Sequence, residues 1–211
     1  VTVRDGGGRL PIEVCGPMRG GKVVVDGSMS SQFITGLLIA LPMAERDTTI
    51  EVHGAVSTPY IDMTLETLER FGVEVMYHEG DYSEFYIEGG QEFKAVDYTI
   101  ESDWSAAATI MVAAAIAGEV TINNLSTLSR QADTAICRAL ERAGASLIIE
   151  ENSITVEHRE LEAFDFDATQ CPDLFPALAA LAAAAEGEST IIGTSRLKHK
   201  ESDRALTIYQ E

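Results

Sequence analysis

Apolar positions along the chain follow two periods, one typical of helices and one typical of strands. Three runs are small and apolar almost throughout, which indicates tightly packed, buried helices; they are Ser31–Ala44, Ser105–Ala117 and Asp173–Ala185. Each is followed by a short run with β-branched residues that predicts a strand; these are Thr48–Val52, Val120–Ile122 and Thr190–Ile192. The pattern therefore predicts a mixed α/β fold.

A second, amphipathic helix is predicted after each of these strands. In the first copy Ile61, Leu65 and Leu68 recur at helical spacing. Gly72 and Gly144 follow the first two of these helices in positions that suit a left-handed cap. Closing strands are then predicted at Val73–Tyr77, Phe85–Glu88, Asp97–Glu101, Leu147–Glu150 and Ile154–Glu157.

The order of elements repeats about every 70 residues. The segment Leu68–Gly72 recurs as Leu140–Gly144, an offset of 72 residues. Asp62, Asp133 and Asp203 stand at the start of the second helix in successive units. Such self-similarity predicts a repeat architecture.

The repeat does not divide the chain evenly. The third unit stops before its cap and closing strands, and the first 27 residues look like the last strands of an earlier unit, Leu10–Val14 and Lys22–Val25. We therefore expect a central fragment of a longer protein, truncated inside a unit at both ends.

Charge and cysteine content exclude several classes of protein. The formal net charge of -19 disfavours nucleic acids and anionic membranes, which attract basic surfaces. Cys15, Cys137 and Cys171 are widely spaced and odd in number, which predicts a reduced, cytoplasmic protein without a disulfide or zinc framework. The apolar runs are shorter than the roughly 20 residues that a transmembrane helix needs. We expect neither a nucleic-acid partner nor a membrane.

Positive charge is concentrated in one segment of this acidic chain. Four of the fifteen Lys and Arg residues lie between Arg196 and Arg204. Arg and Lys bind phosphate and carboxylate groups, and Glu201 among them could transfer a proton. The segment predicts an anion site with acid–base chemistry; a solvated helix start with local ion pairs is the alternative.

Three motifs together resemble one enzyme family. They are Asp26-Gly27-Ser28-Met29-Ser30-Ser31-Gln32-Phe33, Cys171-Pro172-Asp173-Leu174-Phe175-Pro176 and Lys200-Glu201-Ser202-Asp203-Arg204, with support from Ser57-Thr58-Pro59-Tyr60-Ile61-Asp62. In this order and register they resemble the enolpyruvylshikimate-phosphate (EPSP) synthase family, also called 3-phosphoshikimate 1-carboxyvinyltransferase. The resemblance covers essentially the whole chain.

The resemblance implies the enolpyruvyl transferase fold, of the inside-out α/β barrel type. Repeated βαβαββ units pack their helices inside a ring of sheets, and two such domains enclose the substrates. Residues 1–100 would then be the later part of one domain. Residues 101–211 would be the first part of the second, with a crossover strand near Tyr98–Asp103.

By the same resemblance, the first domain would hold shikimate 3-phosphate. Ser30, Ser31 and Gln32 would contact it, with Gln32 also near the enolpyruvyl group. Ser57 would be a further phosphate contact and Tyr60 would pack near the shikimate ring. A helix start attracts anions, but ordinary capping would also explain these serines.

In the second domain the resemblance assigns catalytic roles to Asp173, Lys200 and Glu201. Asp173 would engage the shikimate hydroxyls and accept the proton of the attacking one, unless it is only a helix cap. Lys200 would contact both substrates, Glu201 would protonate the methylene carbon of phosphoenolpyruvate, and Arg204 would bind phosphoenolpyruvate. Arg196 stands where some members have Asn, so a different substrate contact is expected there.

The implied reaction transfers the enolpyruvyl group of phosphoenolpyruvate to the 5-hydroxyl of shikimate 3-phosphate and releases phosphate, in the chorismate route to aromatic amino acids. The resemblance implies no metal or organic cofactor, a monomeric full-length protein and a glyphosate target. We expect this fragment alone to bind shikimate 3-phosphate weakly and to be inactive.

Two other interpretations stay open at this point. A UDP-N-acetylglucosamine enolpyruvyl transferase shares the fold but depends on a cysteine in a mobile loop, and we expect none of the three cysteines to serve. A noncatalytic anion-binding remnant would bind a ligand without any gain from a second substrate. RNA-terminal phosphate cyclases are disfavoured by the charge and by the lack of a nucleotide signature.

Overall fold

The computed structural model describes residues 1–200 and 202–211. The chain forms two compact units, Val1–Asp97 and Tyr98–Glu211. This division lies three residues before the boundary predicted at residue 100.

Unit 1 contains a hairpin and one mixed sheet with two helices. Its strands are β1 (Thr2–Asp5), β2 (Ile12–Cys15), β3 (Gly21–Asp26), β4 (Thr48–His53), β5 (Met76–His78) and β6 (Asp81–Ile87). Its helices are α1 (Gln32–Ala40), which continues as a 3-10 turn over Leu41–Met43, and α2 (Thr58–Arg70). Strands β1 and β2 pair antiparallel, and the sheet order is β3-β4-β6-β5 with only the β3–β4 pair parallel.

The sheet of unit 1 packs one face against both helices. Along β4, Ile50 and Val52 are buried, whereas Glu51 lies on the other face and pairs with Lys22 of β3 at 2.9 Å. Phe85 of β6 is fully buried in the same core. The period-2 burial leaves the second face of the sheet to solvent, as expected for strands covered on one side.

Among its described residues, unit 2 has a three-stranded sheet, a two-stranded sheet and four helices. Its strands are β7 (Glu119–Asn123), β8 (Ser146–Ile149), β9 (Ser153–Glu157), β10 (Asp165–Asp167) and β11 (Thr190–Ile192). Its helices are α3 (Trp104–Ala117), α4 (Ile136–Arg142), α5 (Phe175–Ala184) and α6 (Arg204–Gln210). Shorter 3-10 segments span Ala132–Ala135, Pro172–Leu174 and Thr194–His199. The sheet order β7-β9-β8 is antiparallel, and β10 pairs parallel with β11.

The core of unit 2 depends on small side chains. Helices α3 and α5 pack together, and α3 buries Ala107, Ala108 and Ala115. Alanine lets helix backbones approach closely and favours the helical state. Leu140 of α4 and Ile154 of β9 fill the space between these helices and the sheet.

Most predicted elements are confirmed. All three small apolar helices are present, and Gly72 and Gly144 have φ values of 76° and 87° at the ends of the helices that they follow. The alternation of strands and helices within each unit also matches the prediction.

Two strand predictions are wrong. Neither Asp97–Glu101 nor the crossover strand near Tyr98–Asp103 forms, and β5 begins only at Met76 rather than at Val73. A strand needs a hydrogen-bonded neighbour. Asp103 instead caps α3 by accepting the backbone N–H groups of Ser105 and Ala106, and the carbonyl of Ser102 accepts from the side-chain amide of Gln131. Strands β1 and β10 were not predicted.

Across the part of the chain that the structure describes, no helix has the length and apolarity to span a bilayer. Within the same described residues, no group of three or more His, Cys, Asp or Glu side chains could hold a metal ion.

Candidate active site

The turn before α1 carries the serine–glutamine motif. Ser30 Oγ accepts a hydrogen bond from the backbone N–H of Gln32 at 3.2 Å. Ser31 occupies the N-cap position and is buried, yet its side chain makes no capping hydrogen bond. Gln32 is exposed and lines an open concave surface with Asp26 and Phe33. A hydrogen bond to the backbone at the helix start therefore explains the side chain of Ser30 but not that of Ser31.

A tight turn sets the position of this motif. Asp26 Oδ1 accepts the N–H of Ser28 at 2.9 Å, and hydrogen bonds from the Ser28 side chain and backbone lower the pKa of Asp26. Gly27 donates its N–H to the carbonyl of His53 at 2.8 Å. A Cβ at Gly27 would lie 2.9 Å from Val52, so only glycine allows this turn to pack against β4.

The second predicted contact of unit 1 lies in the turn before α2. Ser57 is buried and has φ 53° and ψ 43°, a left-handed conformation that is uncommon outside glycine. Its carbonyl accepts the N–H of Tyr60 at 3.1 Å. A Cβ at Gly54 would lie 3.4 Å from Ser28, so the turn before α2 is adjacent to the turn before α1. The structure thus brings together the two segments of unit 1 that were predicted to bind substrate.

A tyrosine holds the first turns of α2 in place. Tyr82 Oη of β6 donates a hydrogen bond to Asp62 of α2, with distances of 2.8 and 3.0 Å to the two carboxylate oxygens. Burial first, and the Asp62 carboxylate second, raise the pKa of Tyr82 to about 12. Asp62 was predicted at a helix start, whereas α2 already begins at Thr58, and nothing in the sequence revealed Tyr82 as its partner.

In unit 2 the structure brings three predicted site residues together. Arg204 Nη1 donates a hydrogen bond to Asp173 Oδ1 at 2.6 Å, and Lys200 Nζ lies 3.7 Å from the same oxygen. The side chains of Lys200 and Arg204 are 19% and 20% exposed, and that of Asp173 is 36% exposed. The arrangement is a partly buried cationic site with one carboxylate in it.

Arg196 belongs to the same cluster. Its Nη1 donates to the backbone carbonyl of Thr169 at 3.3 Å. Burial lowers the pKa of Arg196, and the charge of Asp173 partly offsets this effect. Three cations therefore surround Asp173, and Glu201, the predicted proton donor, lies outside the described residues.

Local hydrogen bonds place the members of this cluster. Asp203 caps α6 by accepting the N–H of Leu206 at 3.1 Å, which orients Arg204 as the first residue of that helix. Asp173 lies in the 3-10 turn that leads into α5. The positions of Asp173 and Asp203 near helix starts could be predicted from the sequence, since Asp is a preferred residue there.

Sequence reasoning missed a polar network at the start of α3. Asp133 is fully buried and accepts a hydrogen bond from Ser105 Oγ. Gln131 accepts the N–H of Trp104 at 2.9 Å and donates to the carbonyl of Ser102 at 2.8 Å. The repeat marked Asp133 as equivalent to Asp62, but nothing local in the sequence predicts that it is buried.

Two of the three cysteines are poor nucleophiles. Burial raises the pKa of Cys171 to about 12, and the charge of Asp133 adds to the effect. Burial also raises the pKa of Cys137 to about 11. A thiol must ionise to react, so these two are inert at neutral pH; Cys15 at the end of β2 is exposed.

A family profile described as EPSP synthase (3-phosphoshikimate 1-carboxyvinyltransferase) matches residues 1–211. The chain belongs to the EPSP synthase family. It is 41% identical over 202 residues to the 3-phosphoshikimate 1-carboxyvinyltransferase of Methanothrix thermoacetophila, covering 94% of this chain and 47% of that protein. The corresponding protein of Methanocella arvoryzae is 41% identical over 210 residues, covering 98% and 49%.

Solved structures agree with this assignment. EPSP synthase from Acinetobacter baumannii superposes with a TM-score of 0.73 and 25% identity, over 99% of this chain and 49% of that one. The enolpyruvyl transferase NikO from Streptomyces tendae has a TM-score of 0.65 at 18% identity, over 83% and 44%, and supports the fold alone. The predicted enolpyruvyl transferase fold is confirmed, and the chain spans about half the length of the curated relatives it matches.

Proposed function

We propose that this chain is part of an enzyme that transfers the enolpyruvyl group of phosphoenolpyruvate to the 5-hydroxyl of shikimate 3-phosphate, releasing phosphate. The reaction belongs to the shikimate pathway, which leads to chorismate and the aromatic amino acids. The observation that carries the proposal is the cluster in which Lys200 and Arg204 meet Asp173 in a chain of the EPSP synthase family.

In unit 1, we assign shikimate 3-phosphate to the adjacent turns before α1 and α2. Ser30, Ser31 and Gln32 would supply hydroxyl, amide and helix N-terminal donors, which suit a phosphate. Ser57 would add a hydroxyl from the neighbouring turn, and Tyr60 would pack against the ring. The buried Ser31 hydroxyl that makes no cap and the left-handed Ser57 support this assignment, because polar groups and backbone strain of this kind cluster at functional sites.

In unit 2, we assign the reacting groups to the cationic cluster. Arg204 and Lys200 would bind the carboxylate and phosphate of phosphoenolpyruvate, and Arg196 would add a third positive charge. Asp173 would accept the proton of the attacking hydroxyl, and Glu201 would protonate the methylene carbon. Addition then gives a tetrahedral intermediate with a methyl group, and elimination of phosphate, with one proton of that methyl group returned to the Glu201 carboxylate, would give the product.

The protein would contribute to this reaction chiefly by positioning the two substrates and by supplying positive charge. Two polyanions must be held together, and fixed cations offset their repulsion while protons move. The donors in the cluster are nitrogen cations rather than metal ligands, so the proposal includes no metal and no organic cofactor.

Steady-state kinetics on the full-length enzyme tests the proposal. Phosphate release is measured with both substrates for the wild type, Lys200→Met and the matched control Lys198→Met, whose side chain is exposed in the 3-10 segment that ends just before Lys200. We expect Lys200→Met to lower kcat/KM at least about 100-fold, the usual range for loss of an electrostatic catalytic group, and Lys198→Met to stay within about twofold of wild type. Equal effects of the two substitutions would contradict the assignment of Lys200.

The main alternative, a UDP-N-acetylglucosamine enolpyruvyl transferase, is tested through Cys15. This cysteine is exposed, and Gly16, Arg19, Gly20 and Gly21 follow it closely, so it is the thiol that such an enzyme would use. We expect fosfomycin to leave the protein unmodified by mass spectrometry, and UDP-N-acetylglucosamine to give no phosphate release. Glyphosate should instead compete with phosphoenolpyruvate.

The remaining expectations concern the state of the enzyme. We propose a cytoplasmic location, since the three cysteines are free, and a monomer at full length. Its partners would be shikimate 3-phosphate and phosphoenolpyruvate. Size-exclusion chromatography of the full-length protein checks the monomer, and calorimetry separates the enzyme from a remnant, in which one substrate would not increase affinity for the other.

A further inference from the structure

One carboxylate oxygen of Asp173 lies close to two cations of the cluster, Lys200 and Arg204. Asp173 Oδ1 is the oxygen that lies 2.6 Å from Arg204 Nη1 and 3.7 Å from Lys200 Nζ. An anionic ligand that bound Arg204 Nη1 and Lys200 Nζ through one oxygen would place that oxygen in this same space. The carboxylate of the protein therefore stands where an oxygen of the ligand would stand.

The negative charge of Asp173 also opposes the binding of an anionic ligand in the cluster. Asp173 lowers the net charge among Arg196, Lys200 and Arg204, and it repels any second carboxylate or phosphate that approaches them. The side chains of Lys200 and Arg204 are about four-fifths buried, so solvent screens this repulsion less than it would on the open surface. The chain as a whole is strongly acidic, with a formal net charge of -19, so its overall charge does not attract an anionic ligand.

We propose that Asp173 acts as an internal competitor, whose carboxylate occupies the anion site of Lys200 and Arg204 until a ligand displaces it. The inference rests on the proposed function and adds to it a regulatory contact within the site. Phosphoenolpyruvate must break or share the Asp173–Arg204 ion pair in order to bind. A group that donates a hydrogen bond to Asp173, such as a hydroxyl, can draw the carboxylate away without repelling the incoming anion.

Calorimetric titration of the full-length enzyme with phosphoenolpyruvate alone tests this competition. Asp173→Asn removes the negative charge and keeps the shape of the side chain, whereas Asp173→Glu keeps the negative charge. Asp165→Asn is the matched control, because it changes the net charge equally at an exposed position of β10. Loss of one repulsive carboxylate beside a partly buried ion pair predicts about tenfold tighter binding to Asp173→Asn, or about 1.4 kcal/mol. Asp173→Glu should give no tightening, and Asp165→Asn should stay within about twofold of wild type.

Equal or weaker binding to a folded Asp173→Asn variant overturns the inference, and so does equal tightening by Asp165→Asn. If Asp173→Asn fails to fold by circular dichroism, Asp173→Ser makes the same comparison. The wild type offers a readout that needs no variant: the carboxyl carbon resonance of Asp173 must shift when phosphoenolpyruvate binds, and a constant resonance refutes displacement.

Turnover measured on the same wild-type preparation keeps this test separate from the test of the proposed function. Normal turnover with equal affinities overturns only the competition. Tighter binding to Asp173→Asn without wild-type turnover supports the competition and counts against the proposed reaction.

Discussion

Replacing Tyr82 by Phe removes one hydroxyl and leaves the ring in place. In the wild type this hydroxyl donates to both carboxylate oxygens of Asp62, at 2.8 and 3.0 Å, and joins β6 to α2. Helix α2 follows the turn that contains Ser57. The substitution therefore tests whether a contact that the sequence did not reveal holds one side of the proposed substrate site.

The size of the effect follows from the environment of the hydroxyl. A hydrogen bond to a charged group contributes about 1.5–3 kcal/mol. The pKa of Tyr82 rises from 10.0 to about 12, which corresponds to at most about 2.7 kcal/mol in favour of the protonated form. Because the side chain is only partly buried, solvent screening reduces this value, and we expect Tyr82→Phe to lower the free energy of unfolding of unit 1 by about 1–2 kcal/mol.

The stabilisation by Tyr82 must depend on pH in one direction. Below pH 10, tyrosine is protonated in both the folded and the unfolded chain, so the contribution is fully present. Between pH 10 and about 12 the unfolded chain loses its proton first, and the contribution declines as the pH rises through the folded pKa. The difference between wild type and Tyr82→Phe should therefore shrink over this range.

Urea unfolding followed by circular dichroism at pH 8 and at pH 11 measures both effects. Tyr209→Phe is the control, since Tyr209 is 87% exposed on α6 of the other unit, and it should match the wild type. Equal stability of Tyr82→Phe and wild type at pH 8 would refute the contribution of the hydrogen bond. A difference that persists unchanged at pH 11 would refute its link to the ionisation of Tyr82.

Three further predictions concern the core and the site. Leu140→Ala should destabilise unit 2 by about 3 kcal/mol, because a fully buried leucine leaves a cavity; a loss below about 1 kcal/mol in urea unfolding would contradict its place in the core. Ser57→Gly should keep or raise stability by up to about 1 kcal/mol, since glycine adopts the left-handed conformation without strain, yet it should weaken shikimate 3-phosphate binding in calorimetry of the full-length enzyme; unchanged binding would remove Ser57 from the site. Arg204→Lys should weaken phosphoenolpyruvate binding about tenfold, because lysine cannot reproduce a two-point guanidinium contact; full affinity would show that a single charge suffices.

Much of the fold could be predicted because its causes are local. The left-handed caps at Gly72 and Gly144, the alanine-rich α3 and the alternating β4 each follow from side-chain size and period along a few residues. Strand β10 and the irregular segment before α3 could not be predicted in this way. Whether such segments form strands depends on a neighbour that is distant in the chain, as Asp165–Asp167 pairs with Thr190–Ile192.

For the candidate site as well, the residues could be predicted from local motifs, whereas their contacts could not. The motifs around Ser31, Asp173 and Lys200 identified the family and the residues to examine. Their spacing in the chain could not show that Lys200 and Arg204 point at the same oxygen of Asp173, because that contact joins residues about 30 positions apart. Only the packing of the 3-10 segment Pro172–Leu174 against the 3-10 segment Thr194–His199, with α6 beside the latter, decides it.

The three aspartates of the repeat show most clearly what depends on the local sequence and what depends on the tertiary structure. The sequence alone predicted that Asp62, Asp133 and Asp203 each stand at the start of a second helix, since helix starts favour short side chains that accept hydrogen bonds. This holds for Asp133 and Asp203, whereas α2 already begins at Thr58 and Asp62 lies inside it. Only the tertiary structure decided that Asp62 binds Tyr82, that Asp133 is buried against Ser105 and that Asp203 caps its own helix. The position of a residue along a helix depends on local backbone chemistry, whereas its burial and its partner depend on which distant segments pack beside it.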